Sequence, residues 1–222
     1  QAHEIITLRN SFHGRTLATL SATGQEKIKE GFQPLPQGFR VVQPQAVEEV
    51  ERAVGPETAA VLLEVVQGEG GVKPLPDRYL CDIRELCRQR DILFMVDEIQ
   101  TGMGRSGAMW AHQHLDLQPD VFTVAKALGN GLPIGAMLAS EEVGSAFGPG
   151  AHGTTFGGGA LVSKVASKVL DIMERDDICS RSMDLGNQAV DRLRQVQAGY
   201  PESVSEVRGL GLMLGVELSF PA

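Results

Sequence analysis

The sequence is poor in the residues that staple or metallate a fold, with three cysteines and five histidines among 222 residues. Cys81, Cys87 and Cys179 make an odd count, and the first two lie in a helix-like stretch without histidine neighbours. Neither a disulfide framework nor a zinc site is supported by that spacing. His112 and His114 are the only close pair of histidines, and two residues apart on a helix they face different sides. No apolar run approaches the length of a spanning helix, and the first residues lack a charged segment followed by an apolar one. There is also no basic patch interleaved with aromatics. A formal charge of −8 and a pI near 5.2 then argue against nucleic acid or an anionic membrane as partner. These absences leave a soluble, cytoplasmic protein as the expectation.

What is present is an ordinary globular composition, 42% hydrophobic, with 26 glycines gathered at strand ends and in residues 144–159. Strand-like runs at residues 5–8, 39–42, 60–66, 92–96, 121–125 and 134–139 alternate with amphipathic segments. Residues 44–54 put Val47, Val50 and Val54 on one face, with Pro44 at the start and Gly55 as a stop. Residues 77–90 do the same with Leu80, Ile83, Leu86 and Cys87, and Asp77 is the expected cap. Near-continuous apolar strands separated by such helices predict an α/β fold, a mostly parallel sheet covered by helices on both faces. Helical periodicity resumes at Leu161, Val165, Val169 and Met173 and again over residues 183–196, before a last strand at 212–218. A polar cluster at residues 175–180 suggests a boundary, giving a large domain over 1–178 and a linker helix plus the start of a small C-terminal α+β domain over 179–222.

The ends of the apolar strands carry the chemistry. Lys126 follows the run at 121–125, and Asp97 follows the run at 92–96. A lysine amine forms a Schiff base with an aldehyde cofactor and, once released, can shuttle an α-proton. A carboxylate facing a pyridine nitrogen keeps it protonated, so that the ring accepts electrons. Gln100 is placed to donate to a phenolic oxygen, Phe12 to stack on a ring and Arg15 to grip a carboxylate with its planar fork. Glu64 and Glu69 flank a short loop, and a glutamate ending a buried strand needs a partner, either an arginine or a substrate amine. Thr154 and Thr155 lie in the glycine-rich stretch 150–159 before a helix, a cradle suited to phosphate. Each residue taken alone has a plain structural reading, as surface lysine, turn aspartate, core phenylalanine or flexible loop.

Their order and spacing carry more. Phe-His-Gly-Arg-Thr at 12–16, Gln-Gly-Glu-Gly at 67–70, Asp-Glu-Ile-Gln-Thr-Gly at 97–102, Ala-Lys-Ala-Leu-Gly at 125–129, Pro-Ile-Gly-Ala at 133–136, His-Gly-Thr-Thr at 152–155 and Arg-Gly-Leu-Gly-Leu at 208–212 resemble the class III, fold-type I aminotransferases that use pyridoxal 5'-phosphate. The resemblance covers nearly the whole chain, and residues 17–24 and 32–39 are most similar to acetylornithine aminotransferases, with ornithine and 4-aminobutyrate aminotransferases as neighbours. Val65 departs from the proline, and Gly159 and Ala160 from the Asn-Pro, of many relatives.

By matching position the resemblance implies Lys126 for the Schiff base, Asp97 for the ring nitrogen, Gln100 for the ring hydroxyl side and Phe12 for stacking. It implies Arg15 for the substrate α-carboxylate and Glu69 for the far end of the substrate, with Glu64 beside it. Thr155 and Thr154 would bind the phosphate of a cofactor held by the partner subunit of a homodimer. The implied reaction passes the δ-amino group of N-acetylornithine to 2-oxoglutarate. Another ω-amine aminotransferase, an aminomutase or an inactive cofactor-binding fragment are the alternatives. The phosphate-binding Gly-Thr/Ser loop upstream and a small-domain arginine downstream are expected outside these residues, which makes the chain look like a central fragment.

Overall fold

The computed structural model describes residues 2–44 and 46–220. In chain order its strands are β1 (Glu4–Leu8), β2 (Phe39–Val42), β3 (Thr58–Leu63), the two-residue β4 (Val66–Gln67) and β5 (Lys73–Pro74), β6 (Leu93–Asp97), β7 (Val121–Val124), β8 (Ala136–Ala139), β9 (Val204–Leu210) and β10 (Met213–Leu218). The helices are α1 (Leu17–Ala22), α2 (Glu26–Lys29), α3 (Val47–Ala53), α4 (Asp77–Arg90), α5 (Glu141–Gly144), α6 (Ala160–Arg175) and α7 (Ile178–Gly199). Six strands form one sheet in the order β2-β1-β3-β6-β7-β8, and only β8 runs antiparallel to its neighbour. The alternation of apolar runs and amphipathic helices thus produces the α/β sheet expected of it.

The reason lies in which residues are removed from water. Ile6 and Leu8 of β1, Val61 and Leu63 of β3, and Phe94 and Val96 of β6 are all fully buried and pack with Val50 of α3 and with Leu80, Ile83 and Cys87 of α4. Each such side chain contributes roughly 1.5–3 kcal/mol by leaving water. A second cluster joins Val124 of β7, Leu128, Met103 and the inner face of α6 through Ala166 and Met173.

Local chemistry corrects several boundaries. Asp77 is the first residue of α4 rather than its cap; Pro76 holds the cap position, and the Asp77 carboxylate acts on the positive end of the helix instead. Helix α3 begins at Val47, so Pro44 lies outside it. The run at 60–66 breaks after Leu63 because Glu64 turns its carboxylate back onto backbone amides, and Val66 and Gln67 pair separately with Lys73 and Pro74. Residues 208–210, read as a lead-in to the last strand, belong to β9, which pairs antiparallel with β10. Gly209 is required at this crossing, since a Cβ there would meet the Met213 carbonyl oxygen at 2.1 Å.

Helix α6 ends at Arg175 and α7 begins at Ile178. The β9–β10 hairpin then packs on α7 and on β5, and Met213 and Leu210 join the main core. The Arg208 guanidinium donates to the carbonyl oxygens of Gly71 and Val72 at 2.8–3.1 Å and fixes the turn at 68–72. Among the described residues all three cysteines are free, no three metal-ligating side chains gather, and no helix is long and apolar enough to cross a membrane.

Candidate active site

In an open α/β sheet ligands bind beyond the carboxyl ends of the strands. Here β1, β3, β6 and β7 run parallel as neighbours or near neighbours, so the segments after Leu8, Leu63, Asp97 and Val124 emerge on one edge. Those segments hold Phe12 and Arg15, Glu64 and Glu69, Gln100, and Lys126.

Asp97 is the last residue of β6, opposite Thr123 of β7, and is 6% exposed. Its Oδ1 accepts from the Ile99 amide at 3.1 Å and from the Thr123 hydroxyl at 3.3 Å. Its Oδ2 lies 2.8 Å from His13 Nδ1, inside the protein. With a carboxylate as acceptor, Nδ1 carries the proton, and Nε2 is left buried with no hydrogen-bond partner among the described residues. His13 is the residue that sequence reasoning missed. It stood inside the Phe-His-Gly-Arg motif, but nothing in the sequence shows that a histidine after an exposed-looking turn folds inward onto Asp97.

Lys126 follows β7 and opens a short 3-10 turn with φ of 47°, a left-handed conformation that a non-glycine residue rarely adopts. Such backbone costs about 1–2 kcal/mol and persists where the surroundings require it. Its amine makes no hydrogen bond or ion pair among the described residues. Lys126 and Gln100 line one crevice of about 780 Å³, which also touches Gly68, α7 and the start of β10. Gly68 gives Gln100 its space, because a Cβ at that position would sit 2.7 Å from the glutamine amide nitrogen.

Phe12 is half-buried, and the Arg15 guanidinium lies over its ring at 5.5 Å from the centroid. Arg15 is exposed and makes no ion pair among the described residues. Glu64 is 3% exposed. Among the described residues it meets no arginine; Oε1 accepts from the Phe12 amide at 2.9 Å and Oε2 from the Gly68 amide at 3.2 Å. Burial pushes its carboxyl up to about 7, against the opposing pull of His13 and the two amides, while Asp97 adds to the rise. Glu69 projects from the turn and is exposed.

The structure therefore brings Lys126 and Gln100 into one crevice, and the buried Asp97, His13 and Glu64, with the half-buried Phe12 bonded to Glu64 through its amide, onto the same sheet edge. It does not bring Thr154 or Thr155 there. Both are exposed in the loop before α6 and line no part of the crevice. A free amine, a rigid buried carboxylate and an amide donor at adjacent strand ends suit covalent capture of a carbonyl beside a stabilised positive charge.

The family model for aminotransferase class-III matches residues 1–222. Acetylornithine aminotransferase of Methanothermobacter thermautotrophicus is 50% identical over 215 residues, 97% of this chain and 55% of its own length. That of Myxococcus xanthus is 48% identical over 216 residues, 97% of this chain and 54% of its own. Among solved structures, an ornithine aminotransferase of Toxoplasma gondii with partial occupancy of PLP at its active site superposes with a TM-score of 0.93 at 35% identity, covering 98% of this chain and 52% of that one. The chain spans about half the length of the curated relatives it matches.

Proposed function

This chain belongs to the class III aminotransferases, and from that premise we propose that its protein transfers the δ-amino group of N-acetylornithine to 2-oxoglutarate with pyridoxal 5'-phosphate as cofactor. The observation that carries the substrate is the 50% and 48% identity to two acetylornithine aminotransferases. Similarity at 35% to an ornithine aminotransferase favours ornithine as the second reading for the donor.

The donor set fits the cofactor. A lysine amine and a glutamine amide with no hydrogen bond among the described residues match its aldehyde and its phenolic oxygen, and a fixed carboxylate matches its pyridine nitrogen. When bound, pyridoxal phosphate supplies an aldehyde that condenses with amines and a protonated ring that draws electrons from the substrate carbon.

The chain's own residues do the rest. Lys126 holds the aldehyde end, and its freed Nζ takes and returns the α-proton. Asp97, held in place by His13, Ile99 and Thr123, keeps the proton on the ring nitrogen. Gln100 donates from the crevice wall, and Phe12, on the loop after β1, stacks on the ring. Arg15, with no ion pair to break, grips the α-carboxylate, and exposed Glu69 reads the far end of the donor. Thr154 and Thr155 hold the phosphate of a second copy's cofactor. That assignment draws support from their exposure and from the apolar surface beside them, where Phe156 is 88% and Leu161 71% exposed, as suits a homodimer interface. The protein would work in the cytoplasm, with residues 1–178 as its large domain and 179–222 leading into a smaller one.

The test is glutamate formation from 2-oxoglutarate with N-acetylornithine, ornithine or 4-aminobutyrate as donor. N-acetylornithine should lead in kcat/KM by roughly tenfold or more. Faster turnover of ornithine would move the protein to the second reading.

A further inference from the structure

Glu64 is a buried acid that the proposed chemistry leaves without a proton to move, and its contacts are unusual for a site carboxylate. Each oxygen takes one backbone amide, Phe12 on one side at 2.9 Å and Gly68 on the other at 3.2 Å. Phe12 leads into the loop that carries Arg15, and Gly68 into the turn that carries Glu69. One side chain from the end of β3 thus spans two loops that otherwise belong to different strands.

We propose that Glu64 is a positioning residue whose ionised carboxylate clasps the loop at 12–15 to the turn at 68–69, and that loss of its charge loosens both. The inference rests on the reading in which Arg15 and Glu69 meet the donor. A carboxylate offers lone pairs to both amides, and such charge-assisted bonds are about twice as strong as neutral ones. A protonated carboxyl loses the charge that strengthens both bonds and turns one oxygen into a hydroxyl, so both amides are held more weakly and one of them poorly.

The charged groups acting on Glu64 come from two other elements, His13 after β1 and Asp97 at the end of β6. His13 favours its ionised form and Asp97 opposes it, while burial, the largest influence, brings the titration up to about 7. On this proposal the clasp loosens as pH falls through about 7. On the crevice side the Gln100 side chain lies close against Gly68, where a Cβ would come within 2.7 Å of its amide nitrogen.

The test follows the backbone amide resonances of Phe12 and Gly68 in the full chain as pH crosses neutrality. Both should shift together with a midpoint near 7, and in Glu64→Gln neither should titrate. Persistence of the shifts in Glu64→Gln would assign them to another group and overturn the proposal, as would amides that stay flat in the unsubstituted chain. If Glu64→Gln fails to fold, the carbon-13 resonance of the Glu64 carboxyl in the unsubstituted chain must share the amides' midpoint; a different midpoint overturns the clasp. In turnover, KM for the amino-acid donor should rise several-fold below the midpoint in the unsubstituted protein and lose that pH dependence in Glu64→Gln. The amide titration needs no turnover, so failure of N-acetylornithine as donor strikes the functional reading and leaves this inference standing or falling on its own result.

Discussion

His13 Nδ1 and Asp97 Oδ2 meet at 2.8 Å with both side chains buried, so the carboxylate at the end of β6 has a fixed partner before any ligand arrives. Losing a hydrogen bond to a buried carboxylate costs roughly 1.5–3 kcal/mol, because the group is left with one acceptor unsatisfied. His13→Ala should therefore lower the unfolding free energy by about 1.5–3 kcal/mol, and His13→Asn, which keeps a donor, by distinctly less. Urea denaturation of the two variants checks this. Equal losses would mean that packing of the ring, and not the bond to Asp97, is what matters.

Asp97→Asn keeps shape and removes charge. Cofactor should still bind, while the half reaction with the amino donor slows about a hundredfold or more because a neutral amide does not hold the ring nitrogen protonated. Stopped-flow absorbance separates binding from chemistry here. Retention of most of the half-reaction rate would show that Asp97 serves the fold alone.

Arg15 lies over Phe12, and its fork makes no ion pair among the described residues, so it can meet a carboxylate. Arg15→Lys replaces a planar bidentate donor by a point charge. KM for an α-amino acid donor should rise about tenfold or more, with little change for an amine that lacks the α-carboxylate, since a hydrogen bond to a charged group is worth about 1.5–3 kcal/mol. Steady-state kinetics with the two donors decide it, and equal effects on both would move Arg15 out of the site.

Glu64 makes stability depend on pH in a stated direction. Its ordinary value is 4.5 and its folded value about 7, so between them the folded chain binds more protons than the unfolded one. Stability from this group then falls as pH rises through that window; the full penalty, about 3 kcal/mol, is present above the upper value and absent below the lower one. Glu64→Gln should lose that slope in chemical denaturation carried out across the window. A variant with the slope of the unsubstituted chain would place the titration elsewhere.

Much of this was legible in the sequence because buried parallel strands write themselves as continuous apolar runs. Residues 92–96 and 121–125 gave β6 and β7 nearly to the residue, and these two strands pair side by side with Asp97 opposite Thr123. Strand β9 was not legible, since Ser205, Glu206 and Arg208 give it the polarity of a loop and only pairing with β10 makes it a strand. Of the candidate site, the sequence names the side chains able to carry the proposed chemistry, Lys126, Asp97 and Gln100, because that capacity lies in the residue itself. The site was illegible where a role depends on a contact between distant residues. Glu64 looked like a candidate for an arginine or a substrate amine, yet its partners are two backbone amides, one of them 52 residues away, and amides leave no mark on a sequence.

The central claim is that Lys126 captures the cofactor aldehyde. Incubating the protein with pyridoxal 5'-phosphate, reducing with borohydride and mapping the peptides by mass measures this directly. The pyridoxyl label should fall on Lys126, and Lys126→Ala should lose both the label and the visible absorbance of the bound cofactor, together with turnover. Label on Lys73, Lys164 or another lysine, or turnover retained in Lys126→Ala, would contradict the account.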